Sequence, residues 1–278
     1  MLATIIADCT LYSVLRTLYF VLSTPYPLST MTPNPDAPPR PITTRGQSVR
    51  AHLVHVYTAS GAGFAFLAAI EICAAQPEPR WVFFWLAVAV VVDATDGPLA
   101  RACEVKFRAP RFDGRKIGDI VDYLTFTFLP LLLVWRMGWI PEPGALWVIP
   151  ALVASLFGFA STGAKQEEAG FFLGFPSYWN IYAFYAGPLF LYFGPLVPGL
   201  ILLGLTVLTV APVRFIYPNL APRRWRKLVL FGAAAWLVLL VVMLPRYPEP
   251  PAWLLWLSLV YPIFYVVLSL ALDRKERG

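Results

Sequence analysis

Two pairs of aspartates, Asp93 with Asp96 and Asp119 with Asp122, are the residues of this sequence best placed to do chemistry. Each pair is spaced i,i+3, so on a helix its two carboxylates share a face. Each lies beside a run apolar enough for a bilayer, where an ionisable group is costly and points to function. Four carboxylates converging in a low-dielectric setting repel one another by several kcal/mol unless cations neutralise them. Hard divalent ions with oxygen ligands, Mg²⁺ or Mn²⁺, meet that need. Gly97 and Ala100 remove side-chain bulk beside the first pair, and Gly114 does so ahead of the second, so a phosphate-bearing group can approach the backbone. Arg101 adds a forked donor suited to phosphate oxygens. Together these residues describe a pyrophosphate site. Spacing alone leaves a second reading open, in which the acids sit at helix ends and pair with Lys106, Arg108, Arg111 and Arg115 as topology anchors. Glu71, a fifth acid, lies near the outer end of the first apolar run and can reach water.

The elements that must position these groups are membrane helices. A chain of 278 residues that is 58% hydrophobic and only 14% charged, with ten Trp, is not a water-soluble globule. The fold class expected is an all-α integral membrane protein. Runs of roughly 20 apolar residues cross a hydrocarbon core of about 30 Å. Eight such runs are read, at about 53–75, 81–101, 117–139, 145–164, 175–193, 196–216, 228–245 and 252–272. The four acids fall at the ends of spans two and three, which a short basic loop joins as antiparallel neighbours. Arg80, Arg136 and Arg246 are the basic residues of the odd-numbered connections; the others lie in the N-terminal segment, the even-numbered loops and the tail. That bias predicts cytoplasmic termini and an even number of spans.

The net charge of +6 is juxtamembrane, which fits anionic headgroups or topology and argues against a nucleic-acid partner. Cys9, Cys73 and Cys103 show neither disulfide nor metal spacing and read as packing residues. His52 and His55 read as interfacial hydrogen-bonding residues in preference to a metal pair. Residues 2–24 contain Asp8 and Arg16 and lack a basic start and a cleavage site, so neither a signal peptide nor a ninth span fits. They form an interfacial helix, or the protein starts at Met31 and residues 1–30 do not belong to it. Residues 31–50 are Pro-rich and polar and are expected to be disordered or surface-lying. The expected organisation is therefore an N-terminal segment 1–50, a membrane-embedded domain 51–272 and a tail 273–278.

The motif Asp93-Ala94-Thr95-Asp96-Gly97-Pro98-Leu99-Ala100-Arg101 resembles the first half of the CDP-alcohol phosphotransferase signature, D-x-x-D-G-x-x-A-R, at every specified position. Gly114 and Asp122 are similar to its second half, G-x-x-x-D-x-x-x-D. The twelve-residue spacer before Gly114, GFPSYWN at 174–180 and RFIYPNLAPRRWR at 214–226 look like the bacterial phosphatidylcholine synthase branch of that family. The resemblance implies a six-helix core with two extra C-terminal spans, in a bacterial inner membrane, and commonly a homodimer. It implies transfer of a phosphatidyl group from CDP-diacylglycerol to a small alcohol, with release of CMP, at a two-metal Mg²⁺ or Mn²⁺ site. Asp93, Asp96 and Asp122 would hold metal, Asp122 would also be the catalytic base, and Gly97, Ala100, Arg101 and Gly114 would receive the CDP moiety. Choline is the acceptor implied by the branch; serine, glycerol phosphate and inositol phosphate are those of the wider family. A quaternary ammonium favours ring faces, which makes Tyr123, Tyr178 and Trp179 acceptor candidates, with Tyr57 beside them.

One position departs from the signature. Counted from Gly114, the third aspartate belongs at 118, where this chain has Gly118, followed by Asp119. Asp119 is about 100° further round the helix. Two readings follow, one in which Asp119 partly substitutes as a metal ligand and one in which the enzyme is weakened or inactive. A transporter would set its acids near the bilayer midplane in repeated, broken helices, and the sequence carries no such repeat.

Overall fold

The computed structural model describes residues 44–161, 165–166 and 170–277. The expected interfacial helix at 2–24, the alternative start at Met31 and the loop acids Glu167 and Glu168 lie outside the described residues. Two compact units divide the chain: a smaller one of the described residues up to Thr58 with Thr95–Gly114, and a larger one of Ala59–Ala94 with Arg115–Gly278.

Helix α1 spans Arg45–Cys73. It starts ahead of the expected boundary at 51 because Thr44 and Gln47 cap it reciprocally. The Gln47 amide donates to Thr44 Oγ1 at 3.3 Å and the Thr44 amide to Gln47 Oε1 at 3.0 Å. Helix α2, Pro79–Ala102, opens on proline, whose missing N–H costs nothing at a first helical position. A short α3, Val105–Arg108, follows, and then α4, Gly114–Asp122. A π-helical turn, Tyr123–Phe128, joins α4 to α5, Leu129–Arg136. Helices α6 (Ala145–Ala160), α7 (Trp179–Phe193), α8 (Leu196–Val210), α9 (Arg223–Met243) and α10 (Ala252–Arg277) complete the chain.

Among the described residues five helical stretches are long and apolar enough to cross a membrane: Arg45–Cys73, Pro79–Ala102, Gly114–Arg136, Arg223–Arg246 and Ala252–Arg274. Helices α6 and α8 are shorter apolar helices. The chain is thus a helical membrane protein, as its composition demands.

One expected span ends early for a local reason. The run read as 196–216 leaves helix at Val210 because Pro212 forces Ala211 into extended backbone. The residues beyond form β3, Arg214–Ile216, in a small antiparallel sheet with β1, Lys165–Gln166, and β2, Phe171–Leu173, in the order β1-β2-β3. The register pairs Phe171 with Ile216 and Leu173 with Arg214. The sequence reading contained no sheet.

In the larger unit α6 packs on α8, α5 on α7, α7 on α8, and α9 on α10, with β3 against α10. Trp179, Leu131, Leu133, Leu202, Phe215, Met243 and Leu255 are buried almost completely at its centre. A line of buried hydrogen bonds ties the C-terminal pair to this core. Trp236 Nε1 of α9 donates to the Tyr185 hydroxyl of α7 at 2.9 Å, which donates to Ser258 Oγ of α10 at 3.0 Å, which donates to the Leu255 carbonyl at 2.8 Å. Inside a bilayer, where water offers no alternative partner, such bonds fix which helix faces meet.

Candidate active site

The smaller unit holds Asp96, Gly97, Ala100, Arg101 and Gly114. Thr95, between the two acids of α2, shares a 2.7 Å hydrogen bond with the Tyr57 hydroxyl of α1, so the motif is anchored on the first helix. Arg101 folds back along α2 until Nη1 would stand 3.4 Å from a Cβ at Gly97. Glycine there leaves room for the guanidinium beside the acid face. Gly114 has a neighbour that the sequence does not indicate. A Cβ at 114 would come 3.0 Å from His55 Cε1 and 3.1 Å from Nδ1, so the space is filled by an imidazole of α1. His55 donates from Nε2 to the Ala109 carbonyl at 3.4 Å and packs edge-on against Phe112, with centroids 5.9 Å apart. His52 donates to the Ser48 carbonyl at 2.8 Å and meets the same Phe112. Both histidines therefore act as hydrogen-bonding and packing residues that shape the loop between the acid pairs. Ala51, Val54, Val105 and Ala109 form the small core beneath that loop. Arg108 is held by Glu104 one turn away, which is a different partner from the helix-end acids.

The larger unit holds Asp93, Asp119, Asp122, Tyr123, Tyr178 and Trp179. Helix α4 can carry its acids close to α1 because Gly61 leaves space for Val121, only 7% exposed, to pack against it. Asp119 and Asp122 are half-buried, as are Asp93 and Asp96. The π turn begins immediately after Asp122, and such turns are rare and frequent at functional sites because the extra residue re-aims the side chains around it. A Cβ on Gly118 would meet nothing within 4 Å, so the open position has room for a side chain.

The segment GFPSYWN folds as a tight turn ahead of α7. Gly174 has φ +82 and lies against the Thr209 carbonyl, so a side chain there is excluded on both counts. Its amide donates to the Val213 carbonyl at 2.7 Å. Ser177 is the rare non-glycine at φ 56; its Oγ donates to Ser155 Oγ at 3.1 Å, and Trp179 Nε1 donates to the same oxygen at 2.7 Å. Trp179 is fully buried against Phe175 and Tyr182 and is the anchor of the turn. The turn delivers Tyr178, whose hydroxyl lies within electrostatic range of the carboxylates of both Asp93 and Asp122. Tyr123 points instead toward α6, donating to the Leu152 carbonyl at 3.4 Å and packing on Phe159.

Four aspartates supply the all-oxygen donor set that hard divalent cations take, and half-burial would strengthen their grip on such an ion. Among the described residues no three His, Cys, Asp or Glu side chains are already drawn close enough together to hold one metal. The fit is therefore one of donor type.

No family model matches the chain. The phosphatidylcholine synthase of Rhizobium meliloti (strain 1021) is 36% identical to it over 209 residues, 74% of this chain and 83% of that protein. The phosphatidylcholine synthase of Pseudomonas aeruginosa is 33% identical over 224 residues, 80% of this chain and 92% of that protein. The chain belongs to the phosphatidylcholine synthase family. A third relative of that name, from Legionella pneumophila subsp. pneumophila, is 32% identical over 240 residues, 84% of this chain and 92% of that protein. Membership in the phosphatidylcholine synthase family agrees with the resemblance carried by Asp93 to Arg101 and makes this chain a multi-pass membrane enzyme. The contacts of Tyr57 with Thr95 and of His55 with Gly114 join residues distant in sequence and leave no local pattern.

Proposed function

We propose that this chain transfers the phosphatidyl group of CDP-diacylglycerol to choline, giving phosphatidylcholine and CMP. The observation that carries the reading is the D-x-x-D-G-x-x-A-R motif of Asp93–Arg101 on α2, in a chain of the phosphatidylcholine synthase family. Asp122 accepts the choline hydroxyl proton, so that the alkoxide oxygen attacks phosphorus in line and the phosphorus–oxygen bond to CMP breaks. Arg101 binds phosphate oxygens of the nucleotide, with Gly97 and Ala100 leaving the approach open. Asp93, Asp96, Asp119 and Asp122 are the residues that would hold Mg²⁺ or Mn²⁺, with Asp119 standing in for the ligand missing at Gly118. Bound there, the metal would supply charge neutralisation for the pyrophosphate leaving group. Direct displacement is the simpler route, because the motif places no Ser, Cys or His to form a covalent intermediate.

In this reading the eight runs are eight spans, with both termini cytoplasmic, in a bacterial inner membrane and as a homodimer. The acids then sit near the cytoplasmic interface, where the acyl tails stay in lipid while the cytidine and choline arrive from water. The test is CMP release by purified protein in nanodiscs given CDP-diacylglycerol, Mn²⁺ and a panel of choline, serine, glycerol phosphate and inositol phosphate. Release with choline and its loss in chelator are expected. No release with any alcohol overturns the enzyme reading, and a preference for another alcohol overturns choline.

A further inference from the structure

Helix α9 opens a stretch of membrane length, Arg223–Arg246, with Arg223-Arg224-Trp225-Arg226-Lys227 and no acid in its first turn. Nor does an acid stand nearby in sequence, because no Asp or Glu occurs between Glu168 and Glu249. Asp273 of α10, the helix packed on α9, is buried and engaged by Arg214 at 3.0 Å. Arg223, Arg224, Arg226 and Lys227 are exposed, and among the described residues none of them is ion-paired. The rest of the helix sets the direction they face. By helical phase the four cations fall within about 160° of the circumference, whereas Trp225, Val229, Trp236 and Met243 cluster within about 40° on the opposite side. That opposite side is the core: Val229 and Met243 are fully buried and Trp225 packs against the central cluster. Phe231, Val238, Val241 and Val242 continue the cationic arc along the helix, and all four are exposed. On a helix of membrane length such apolar residues meet acyl chains, so the cations at the head of the same face stand at the level of phospholipid headgroups.

We propose that Arg223, Arg224, Arg226 and Lys227 form a docking face for an anionic phospholipid of the bilayer, in the leaflet that this end of α9 enters. The phosphodiester oxygens accept from the guanidinium forks and the Lys227 ammonium, and the acyl chains lie along Phe231, Val238 and Val241. Four like charges on little more than one turn repel one another, and a bound phosphate relieves that repulsion where water and salt only screen it. Arg224 also lies over the Trp225 ring at 5.6 Å, which ties one cation of the face to the indole that anchors it. A short path carries docking into the fold. The Trp225 and Arg226 amides donate to the Pro222 carbonyl at 2.8 and 3.0 Å, and Pro218–Leu220 just before it is a 3₁₀ turn entered where the Tyr217 amide donates to the Gly170 carbonyl at 2.9 Å. The lipid therefore steadies the junction between β3 and α9. Its site lies apart from the acid motif and is independent of the choline-transfer reading.

The test places the full-length protein in nanodiscs and compares its association with spin-labelled phosphatidylglycerol and spin-labelled phosphatidylethanolamine, a zwitterionic reference that is not the product of the proposed transfer. The parent is expected to favour phosphatidylglycerol by about tenfold or more at low salt, and to lose most of that preference at about 1 M salt. Arg223→Gln with Lys227→Gln, and Arg224→Gln with Arg226→Gln, should each lower the preference by about threefold or more. Arg→Lys changes at 223, 224 and 226 should keep it, and Arg246→Gln, at the other end of the same helix, should leave it unchanged. A readout that needs no variant is the melting temperature of the parent, which should rise as phosphatidylglycerol replaces phosphatidylethanolamine, because a ligand of the folded state stabilises it. Equal association of the parent with the two lipids overturns the docking face, and so does a preference that neither double variant moves. Preference for spin-labelled CDP-diacylglycerol alone, with phosphatidylglycerol held no better than phosphatidylethanolamine, also overturns it and assigns the cations to the substrate.

Discussion

Replacing Gly118 by Asp tests the weakest position of the site, and the outcome can be worked from the backbone. On α4, position 118 lies about 40° to one side of Asp122 and Asp119 about 60° to the other, by helical phase. A Cβ at 118 would meet nothing within 4 Å, so the substitution meets no steric bar at its first atom. Leaving glycine gains a few tenths of a kcal/mol in helix propensity. A third carboxylate about 6 Å from Asp119 and Asp122 costs roughly 3 kcal/mol against each when no cation is bound, at an effective dielectric near 20, before screening by water at these half-buried positions reduces it. With a divalent cation present the same charge becomes a ligand. Gly118→Asp is therefore expected to melt earlier than the parent in EDTA and later in Mn²⁺. Its half-saturating Mn²⁺ in the CMP-release assay should fall about tenfold, which is about 1.4 kcal/mol. The decisive comparison adds Asp119→Asn. In the parent it should reduce CMP release by about 10²-fold or more, and in the Gly118→Asp background by little, because the new carboxylate takes over the ligand. An Asp119→Asn that is equally mild in both backgrounds refutes the substitution of Asp119 for the missing aspartate.

Asp122→Asn should lower CMP release by about 10²–10⁴-fold while CDP-diacylglycerol binding persists; weakened lipid-nucleotide binding with intact turnover would count against its role as base. Trp179→Ala, at a fully buried ring whose Nε1 donates to Ser155 Oγ, should cost about 3–5 kcal/mol in thermal unfolding, and an unshifted melting temperature would contradict the anchor role. Asp273→Asn leaves the Arg214 guanidinium half-buried without its counter-charge. The side chains are 22% and 8% exposed, so the loss is discounted to about 1–3 kcal/mol, checked by the same melt. Gly114→Ala should impair activity, and His55→Ala in that background should restore part of it; failure of the second change to help would mean that the glycine serves the nucleotide and not the imidazole.

The acid motif was legible because covalent spacing alone puts Asp93 beside Asp96 and Asp119 beside Asp122 on helix faces, whatever the tertiary structure. Helix positions were legible for a similar reason, since about 20 apolar residues in lipid have few other options than to satisfy their own backbone. Even the early start of α1 had a local signal, the Thr44-x-x-Gln47 box. What escaped reading depends on partners far away in the chain. The sheet exists because Arg214–Ile216 finds Phe171–Leu173, and the turn at 174–179 is held by Ser155 and by carbonyls of α8.

Gly114 states the limit most clearly. A glycine reports that something approaches the backbone, and it does not say what. A phosphate was the natural inference beside four acids and an arginine, yet the group that approaches is His55, 59 residues earlier in the chain. Gly97 and Gly118 carry the same one-letter message with different contents, a folded-back Arg101 in one case and empty space in the other. The consequence for the site is asymmetric. Room for a Cβ at Gly118 means that packing does not bar a carboxylate there, so what such a residue would change is the charge balance around Asp119 and Asp122.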